Sequence, residues 1–183
     1  MRNDQKALAD IYSRIITESS GRKVIEGDVD LSSLYLEELP DWLSDVEIKG
    51  SFFCDENRLT TLQGGPKTVE GDFYCYDNKL TTLAGGPKTV GGEFFCDNNR
   101  LTTLAGGPKT VRGNFFCYDN KLTTLAGAPK TVGGGFFCYN NRLTTLAGAP
   151  ETVGGNFSCS DNPGNFTKGD VRAVSKVDGK IFV

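Results

Sequence analysis

Six cysteines are the residues of this chain best able to do chemistry, and they recur every 21 residues: Cys54, Cys75, Cys96, Cys117, Cys138 and Cys159. No Cys-x-x-Cys pair occurs and the chain has no histidine, so the spacing does not fit a zinc site. Neighbouring parallel strands hold such side chains about 4.8 Å apart, beyond the Cβ separation of about 3.8 Å that is usual in a disulfide. We therefore expect a buried column of reduced thiols, which favours a reducing compartment.

A second candidate for chemistry is Gly86-Pro-Lys-Thr89, which superficially resembles the Gly-Lys-Thr of a phosphate-binding loop. That loop needs Gly before Lys and a helix after it, whereas here Pro precedes Lys and the segment recurs in five copies. The sequence offers no histidine as a general base and no paired nucleophile and base. We therefore predict no catalytic residues, no metal site and no cofactor, and we expect that the protein is not an enzyme.

The 21-residue period governs the whole middle of the chain, because Gly50 to Leu62 returns from Gly71 and again from Gly92, Gly113 and Gly134. A sixth copy begins at Gly155 and degrades after Asn162. Such a period indicates a solenoid, in which one turn cannot bury its own apolar edge and stacking supplies the core.

Each copy predicts a short strand followed by a turn. In the fourth copy, alternation places Phe115 and Cys117 on the buried face and Asn114, Phe116 and Tyr118 on the other. The Asn that follows Cys by three residues is expected to bond main-chain groups between turns.

The series Phe-x-Cys-x-x-Asn-x-Leu matches the L-x-L-x-x-N-x-L segment of leucine-rich repeats, with Cys in a Leu position. With its Leu-Thr-Thr-Leu and Gly-x-Pro segments, the chain resembles the short leucine-rich-repeat proteins of tailed bacteriophages and some bacteria. The resemblance implies a leucine-rich-repeat solenoid with a parallel β-sheet on its concave face, irregular convex arcs, and helical caps at the N- and C-terminal ends. It also implies a host or viral partner, such as a host factor or a defence component.

Four segments follow from this organisation. Residues 1–22 are predicted to form an amphipathic helix, 23–49 an N-terminal cap with an irregular first repeat, 50–162 five full repeats and the start of a sixth, and 163–183 a C-terminal cap.

The two caps carry their own signals. In the N-terminal one, apolar residues at Leu8, Ile11, Tyr12 and Ile15 follow helical spacing, with Asn3 as N-cap and Gly21 just past the end. In the C-terminal one, Thr167 to Asp170 suggests a capped helix over 170–176, and residues 179–183 suggest an edge strand.

The outward side of the strands carries the candidate binding residues. Its aromatic side chains, together with neighbouring acidic ones, predict a partner-binding concave face: Phe53, Tyr74, Tyr76, Phe95, Phe116, Tyr118, Phe137, Tyr139, Asp72, Glu93 and Asp97. Six strands would span roughly 24 Å, and aromatic residues are favoured at interface hot spots. A second interpretation is that the stacked rings only stabilise adjacent strands, and the two can hold together.

Charge argues against nucleic acid as the partner. The formal net charge is −3, with 6 basic and 11 acidic residues over 1–49 and 14 basic and 12 acidic residues over 50–183. A nucleic-acid binder normally shows a basic surplus, with cations and aromatics interleaved on one face. Here the aromatic face carries acids, and we expect two solvated basic rows elsewhere: Arg58, Lys79, Arg100, Lys121 and Arg142, and Lys67, Lys88, Lys109 and Lys130.

These observations predict a protein-binding module that is a monomer or a weak homo-oligomer. The alternative is a structural component that pairs with its own copies through solenoid faces or ends. The sequence shows no secretory signal and no apolar run of membrane-spanning length, so we expect a cytoplasmic protein with no membrane partner.

Overall fold

The chain forms a β-solenoid of about eight turns with parallel sheets and few helices. This computed structural model describes residues 3–183. Each full 21-residue turn contributes two strands of two residues, one at the Phe-Phe or Phe-Tyr pair and one at the Thr-Val pair. Equivalent residues of neighbouring turns therefore pair directly, as Phe115 does with Phe94 and Phe136.

Eight strands form one parallel sheet, here called the Phe sheet because five of them carry the Phe-Phe or Phe-Tyr pairs of the repeats. In chain order they are β3 (Val29–Asp30), β5 (Phe52–Phe53), β7 (Phe73–Tyr74), β9 (Phe94–Phe95), β11 (Phe115–Phe116), β13 (Phe136–Phe137), β15 (Phe157–Ser158) and β17 (Ile181–Phe182). The sheet confirms the parallel stacking that the repeat predicts.

A second sheet of nine strands runs along the Thr-Val pairs and is here called the Thr sheet. Its strands are β1 (Ile16–Thr17), β2 (Lys23–Ile25), β4 (Val46–Ile48), β6 (Thr68–Val69), β8 (Thr89–Val90), β10 (Thr110–Val111), β12 (Thr131–Val132), β14 (Thr152–Val153) and β16 (Lys176–Val177). The prediction of irregular arcs was wrong at these positions. The adjacent β-branched residues Thr and Val favour extended backbone. Because the repeats have equal length, each Thr-Val strand pairs with the equivalent strand of the next turn.

The core between the sheets is a set of columns that run along the solenoid. The fourth turn contributes Phe115, Cys117, Leu122, Leu125 and Val132, each at most 1% exposed. Because every turn repeats this set, the core is continuous from turn to turn, as expected for a solenoid whose single turns cannot be stable alone.

Asparagine joins each turn to the one before it. The side-chain amide of Asn99 donates to the main-chain carbonyls of Cys75, Cys96 and Asp97 at 2.9, 3.3 and 3.0 Å. Its Oδ1 accepts from the amide of Leu80 at 2.9 Å. Equivalent bonds recur at Asn78, Asn120 and Asn141, which confirms the predicted role of this column.

The turn after the second leucine requires glycine. Gly106 has φ +88°, in the left-handed region that side chains avoid. A Cβ there would also lie 2.6 Å from the main chain of Ala84 in the preceding turn. Conformation and close approach therefore both exclude a side chain at this position.

At the N-terminal end the helix is shorter than predicted. Helix α1 spans Asn3–Tyr12, and β1 then pairs antiparallel with β2. Gly21, predicted to follow the helix, lies between these two strands with φ +81°. Ile11 is buried and joins the core, whereas Tyr12 is exposed and contacts the Trp42 ring edge-on. The predicted capping by the Asn3 side chain lies outside the described residues.

Two further elements complete the chain. A 3₁₀ helix over Asp41–Asp45 precedes β4. Near the C-terminus, α2 spans Lys168–Val174, earlier than the predicted 170–176. The shift follows from a capping box in which Thr167 is the N-cap and Asp170 is the third helical residue. The predicted edge strand is β17, the last strand of the Phe sheet.

Candidate functional site

The outward side of the Phe sheet carries a continuous stack of aromatic rings. Centroids lie 4.6 Å apart from Phe53 to Tyr74, from Tyr74 to Phe95 and from Phe95 to Phe116, and 4.9 Å apart from Phe116 to Phe137. The planes of successive rings differ by 5° to 13°. All five side chains are partly exposed, while their inward neighbours are fully buried. The predicted alternation of faces is therefore confirmed.

Stacking decides which part of each ring a ligand can reach. Tyr74, Phe95 and Phe116 each have a ring on both sides, so neither face is free. What remains for contact is the ring edge, which carries the positive end of the aromatic quadrupole. The stack thus offers a row of edges rather than a platform on which flat groups could stack.

Three tyrosines flank this stack, each two residues after one of its rings: Tyr76, Tyr118 and Tyr139. Tyr118 and Tyr139 stack on each other at 4.6 Å, and Tyr118 meets the Phe116 ring edge-on at 6.4 Å. Tyr76 meets Tyr74 in the same way. Burial, with the nearby Asp55 carboxylate, raises the pKa of Tyr76 to about 12, so its hydroxyl stays a hydrogen-bond donor at neutral pH. We call the ring stack and these three tyrosines the aromatic face.

Two aspartates in the tyrosine column are not available as surface charges. Asp55 is 6% exposed and Asp97 only 4%, so the prediction that Asp97 lines an open face was wrong. Burial raises the pKa of Asp97, and the adjacent Tyr118 hydroxyl offsets part of the rise. Within the described part of the chain, Oδ1 of each aspartate lacks a hydrogen-bond partner. Each carboxylate lies beside the tyrosine hydroxyl of the next turn, Tyr76 for Asp55 and Tyr118 for Asp97, and alternation within one turn does not reveal such a contact.

The other predicted acids hold turns together. Oδ1 of Asp72 accepts from the main-chain amide of Glu93 at 2.7 Å, while its Oδ2 accepts from the Tyr74 hydroxyl at 3.1 Å. Glu93 in turn accepts from the side chain of Asn114, whose Oδ1 accepts from the amide of Gly135 at 2.6 Å. This column therefore forms a ladder from one turn to the next. Its signal in the sequence was the recurrence of acceptor side chains before four of the five Phe pairs: Ser51, Asp72, Glu93 and Asn114.

Polar side chains, four of them acidic, project instead from a position that the alternation of faces did not indicate. The residue before each column Asn has a left-handed backbone, with φ between 50° and 54° in every repeat: Glu56, Asp77, Asn98, Asp119, Asn140 and Asp161. Asp119 is partly exposed and the other five are exposed. They form a polar rim beside the tyrosines of the aromatic face.

The two basic rows are exposed at every position, as predicted for solvated charges. Arg58 also lies over the Tyr35 ring, with its guanidinium carbon 5.2 Å from the ring centroid. Neither row lies among the stacked rings.

All six cysteines are free and at most 1% exposed, so their predicted burial is confirmed. Burial raises the pKa of the first five thiols well above the ordinary value. The pKa of Cys159, in the last turn, is raised only to about 11. The column acts as a set of small apolar side chains in the core.

Comparison of the chain with protein families, with characterised proteins and with solved structures found no match. Over residues 3–183, neither helix is long and apolar enough to cross a membrane.

Proposed function

We propose that this chain is a non-enzymatic binding module that engages a protein partner through the aromatic face. The observation that carries the proposal is the five-ring stack, whose edges stay partly exposed beside three tyrosines. Stacking fixes the rings before any partner arrives, so little side-chain entropy remains to be lost on binding. Preorganised aromatic side chains are typical anchors of protein interfaces.

The geometry favours a protein over a single-stranded nucleic acid. Proteins that bind single strands offer free ring faces on which bases stack, and the inner rings here have none. The exposed Glu56 and Asp77 beside the face would also repel phosphates. A protein surface, in contrast, can set main-chain carbonyls and apolar side chains against ring edges.

We further propose that the chain is a divergent leucine-rich-repeat protein, because its Asn and Leu columns take the roles that the resemblance to phage proteins implies. The buried free thiols favour a reducing compartment such as the cytoplasm. Because the resemblance to phage proteins implies a host partner, bacterial host proteins are the first candidates.

A capture experiment tests the proposal with three baits. They are the wild type, a triple variant with Phe95, Phe116 and Tyr118 each changed to Ser, and Lys109→Glu, which changes an exposed row away from the rings. A partner captured from bacterial lysate is identified, purified and titrated against each bait. Loss of these three central aromatics should cost about 2 kcal/mol or more in binding free energy, while Lys109→Glu should change affinity little.

Folding is the necessary control, because each inner ring also contacts two neighbours. Replacing one ring should lower the free energy of unfolding by about 1–3 kcal/mol, since each aromatic pair contributes roughly 0.5–1.5 kcal/mol. Circular dichroism and thermal melting must therefore show that the triple variant is folded at the binding temperature. If the folded triple variant keeps the partner while Lys109→Glu releases it, the binding surface is not the aromatic face.

A further inference from the structure

Exposed apolar side chains are concentrated at the two ends of the solenoid. Over the described residues, six large hydrophobic side chains are exposed, by 41% to 71%, and none lies in the repeats 50–162: Tyr12, Ile16, Tyr35, Val174, Phe182 and Val183. Three precede the repeats and three follow them. Because the repeats expose none, the apolar surface that is most free for contact lies at the two ends.

The same two ends carry opposite charge. Residues 1–49 contain 6 basic and 11 acidic side chains, the repeats 50–162 contain 10 of each, and residues 163–183 contain 4 basic and 2 acidic ones. The chain is thus negative at its N-terminal end, neutral along the repeats and positive at its C-terminal end. An end of this molecule is complementary in charge to the opposite end of another copy.

The ends also differ in the elements that they present, and two like ends would bring like charges together. The N-terminal end presents α1, the edge strand β1 and the first strand of the Phe sheet, β3. The C-terminal end presents α2 with the last strands, β16 and β17. A contact between unlike ends is heterologous, and it leaves one free end of each kind on every assembly.

We infer that the acidic, apolar N-terminal end docks on the basic, apolar C-terminal end of a second copy, so that copies of this chain assemble head to tail. The contact is made by side chains rather than by a continuous sheet. Arg14 already donates to the main-chain carbonyls of Glu26 and Asp28 beside β3, at 3.0 and 2.7 Å. The Arg14 side chain thus covers the main chain beside this edge strand, and the strand itself has only two residues. Both features protect a sheet edge from pairing with another chain.

Mass in solution is the first test. Head-to-tail docking predicts species larger than the 19.8 kDa monomer, growing in number as concentration is raised from about 1 μM to about 1 mM. Because the ends attract by charge, added salt should shift the distribution back toward monomer. A single 19.8 kDa species at every concentration in low salt would overturn the inference.

Two end variants then separate head-to-tail docking from every other self-association. Ile16→Lys places a positive charge in the acidic end, and Phe182→Glu places a negative one in the basic end. Both positions are about half exposed, so folding should be preserved. Each variant alone should stay monomeric at concentrations where the wild type assembles, with an affinity at least about tenfold weaker.

An equimolar mixture of the two variants is the decisive measurement. The Ile16→Lys chain keeps an intact C-terminal end and the Phe182→Glu chain keeps an intact N-terminal end. Together they should form a dimer of twice 19.8 kDa that grows no further. A mixture that stays monomeric overturns the inference. The triple variant of Phe95, Phe116 and Tyr118 has unchanged ends, so its failure to assemble where the wild type assembles would also overturn it.

Discussion

At the scale of single residues, the residue before each column Asn has a left-handed backbone, and the steric cost of that conformation differs among the six side chains found there. Asn and Asp tolerate this conformation because their short side chains bond locally, whereas Glu does not. Glu56, at φ 53°, is the only Glu in the column. Its carboxylate accepts one hydrogen bond from the Ser33 hydroxyl, at an exposed site. We expect the steric cost of the left-handed backbone to exceed the stability that this one bond contributes.

Glu56→Asn is therefore expected to stabilise the protein, by up to about 1 kcal/mol given the cost of a left-handed residue. The matched control is Asn98→Glu, the reverse change at the same position two turns later, which should destabilise by a similar amount. Urea unfolding measures both. Shifts of the same sign in the two variants would show that the backbone conformation does not decide the effect.

Asp97 gives a second prediction at this scale, with a defined pH dependence. Burial raises its pKa in the folded state, so stability linked to this group is full below the unfolded pKa and is lost as pH rises through the folded one. Asp97→Asn, which cannot ionise, should raise the melting temperature at pH 7–8. Its advantage should fade as pH falls through the raised folded-state pKa and the wild-type carboxyl becomes protonated.

The control for this change is Asp161→Asn, made at an exposed position in the last turn. It should give little difference in melting temperature at either pH. An Asp97→Asn variant that melts below the wild type at pH 8 would mean that the ionised carboxylate is favoured where it lies.

At the scale of elements, the contact between successive turns depends on the Asn column more than on the threonines. Asn99→Ala leaves the buried amide of Leu80 and the carbonyls of Cys75 and Cys96 without their side-chain partner. Leaving a buried polar group unpaired costs about 1–3 kcal/mol. Thr103 makes its bonds to Ala105 and Ala126 at an exposed site, where water can replace it.

Thermal and urea unfolding of Asn99→Ala and Thr103→Ala test this difference. The Asn variant should lose about 1–3 kcal/mol and the Thr variant clearly less. Equal losses would contradict the role assigned to the column.

Elements also show how far the sequence alone could go. The period, the buried Phe and Cys and the Asn column all follow from alternation and spacing, which local chemistry dictates. The Thr sheet did not follow, because two residues are too few for a periodic signal and the pairing depends on neighbouring turns. Burial of Asp97 was missed for the same reason, since the Tyr118 that lies beside it belongs to another turn.

At the scale of the whole molecule, each turn contacts only its neighbours, so opening should begin at the ends. The thiols report this directly. Cys159 lies in the last repeat and has the least raised thiol pKa, about 11. It should react first with a thiol reagent under native conditions, while Cys96 and Cys117 react slowest.

Peptide mapping by mass spectrometry after timed labelling gives the order, and labelling in denaturant gives the reference in which all six react rapidly. If Cys96 reacts as fast as Cys159 in the native protein, the inner column is not sealed and the order of opening is wrong.

The in-register pairing of equivalent residues has a consequence for how this chain can evolve. Because every repeat contacts its neighbours through the same columns, the junction between the second and third repeats matches the junction between the third and fourth. Unequal recombination within such a gene adds or removes whole repeats without creating a new junction. Each such event would lengthen or shorten the outer ring stack by one spacing, about 4.6 Å. The length of the molecule can therefore change over generations only in steps of one repeat.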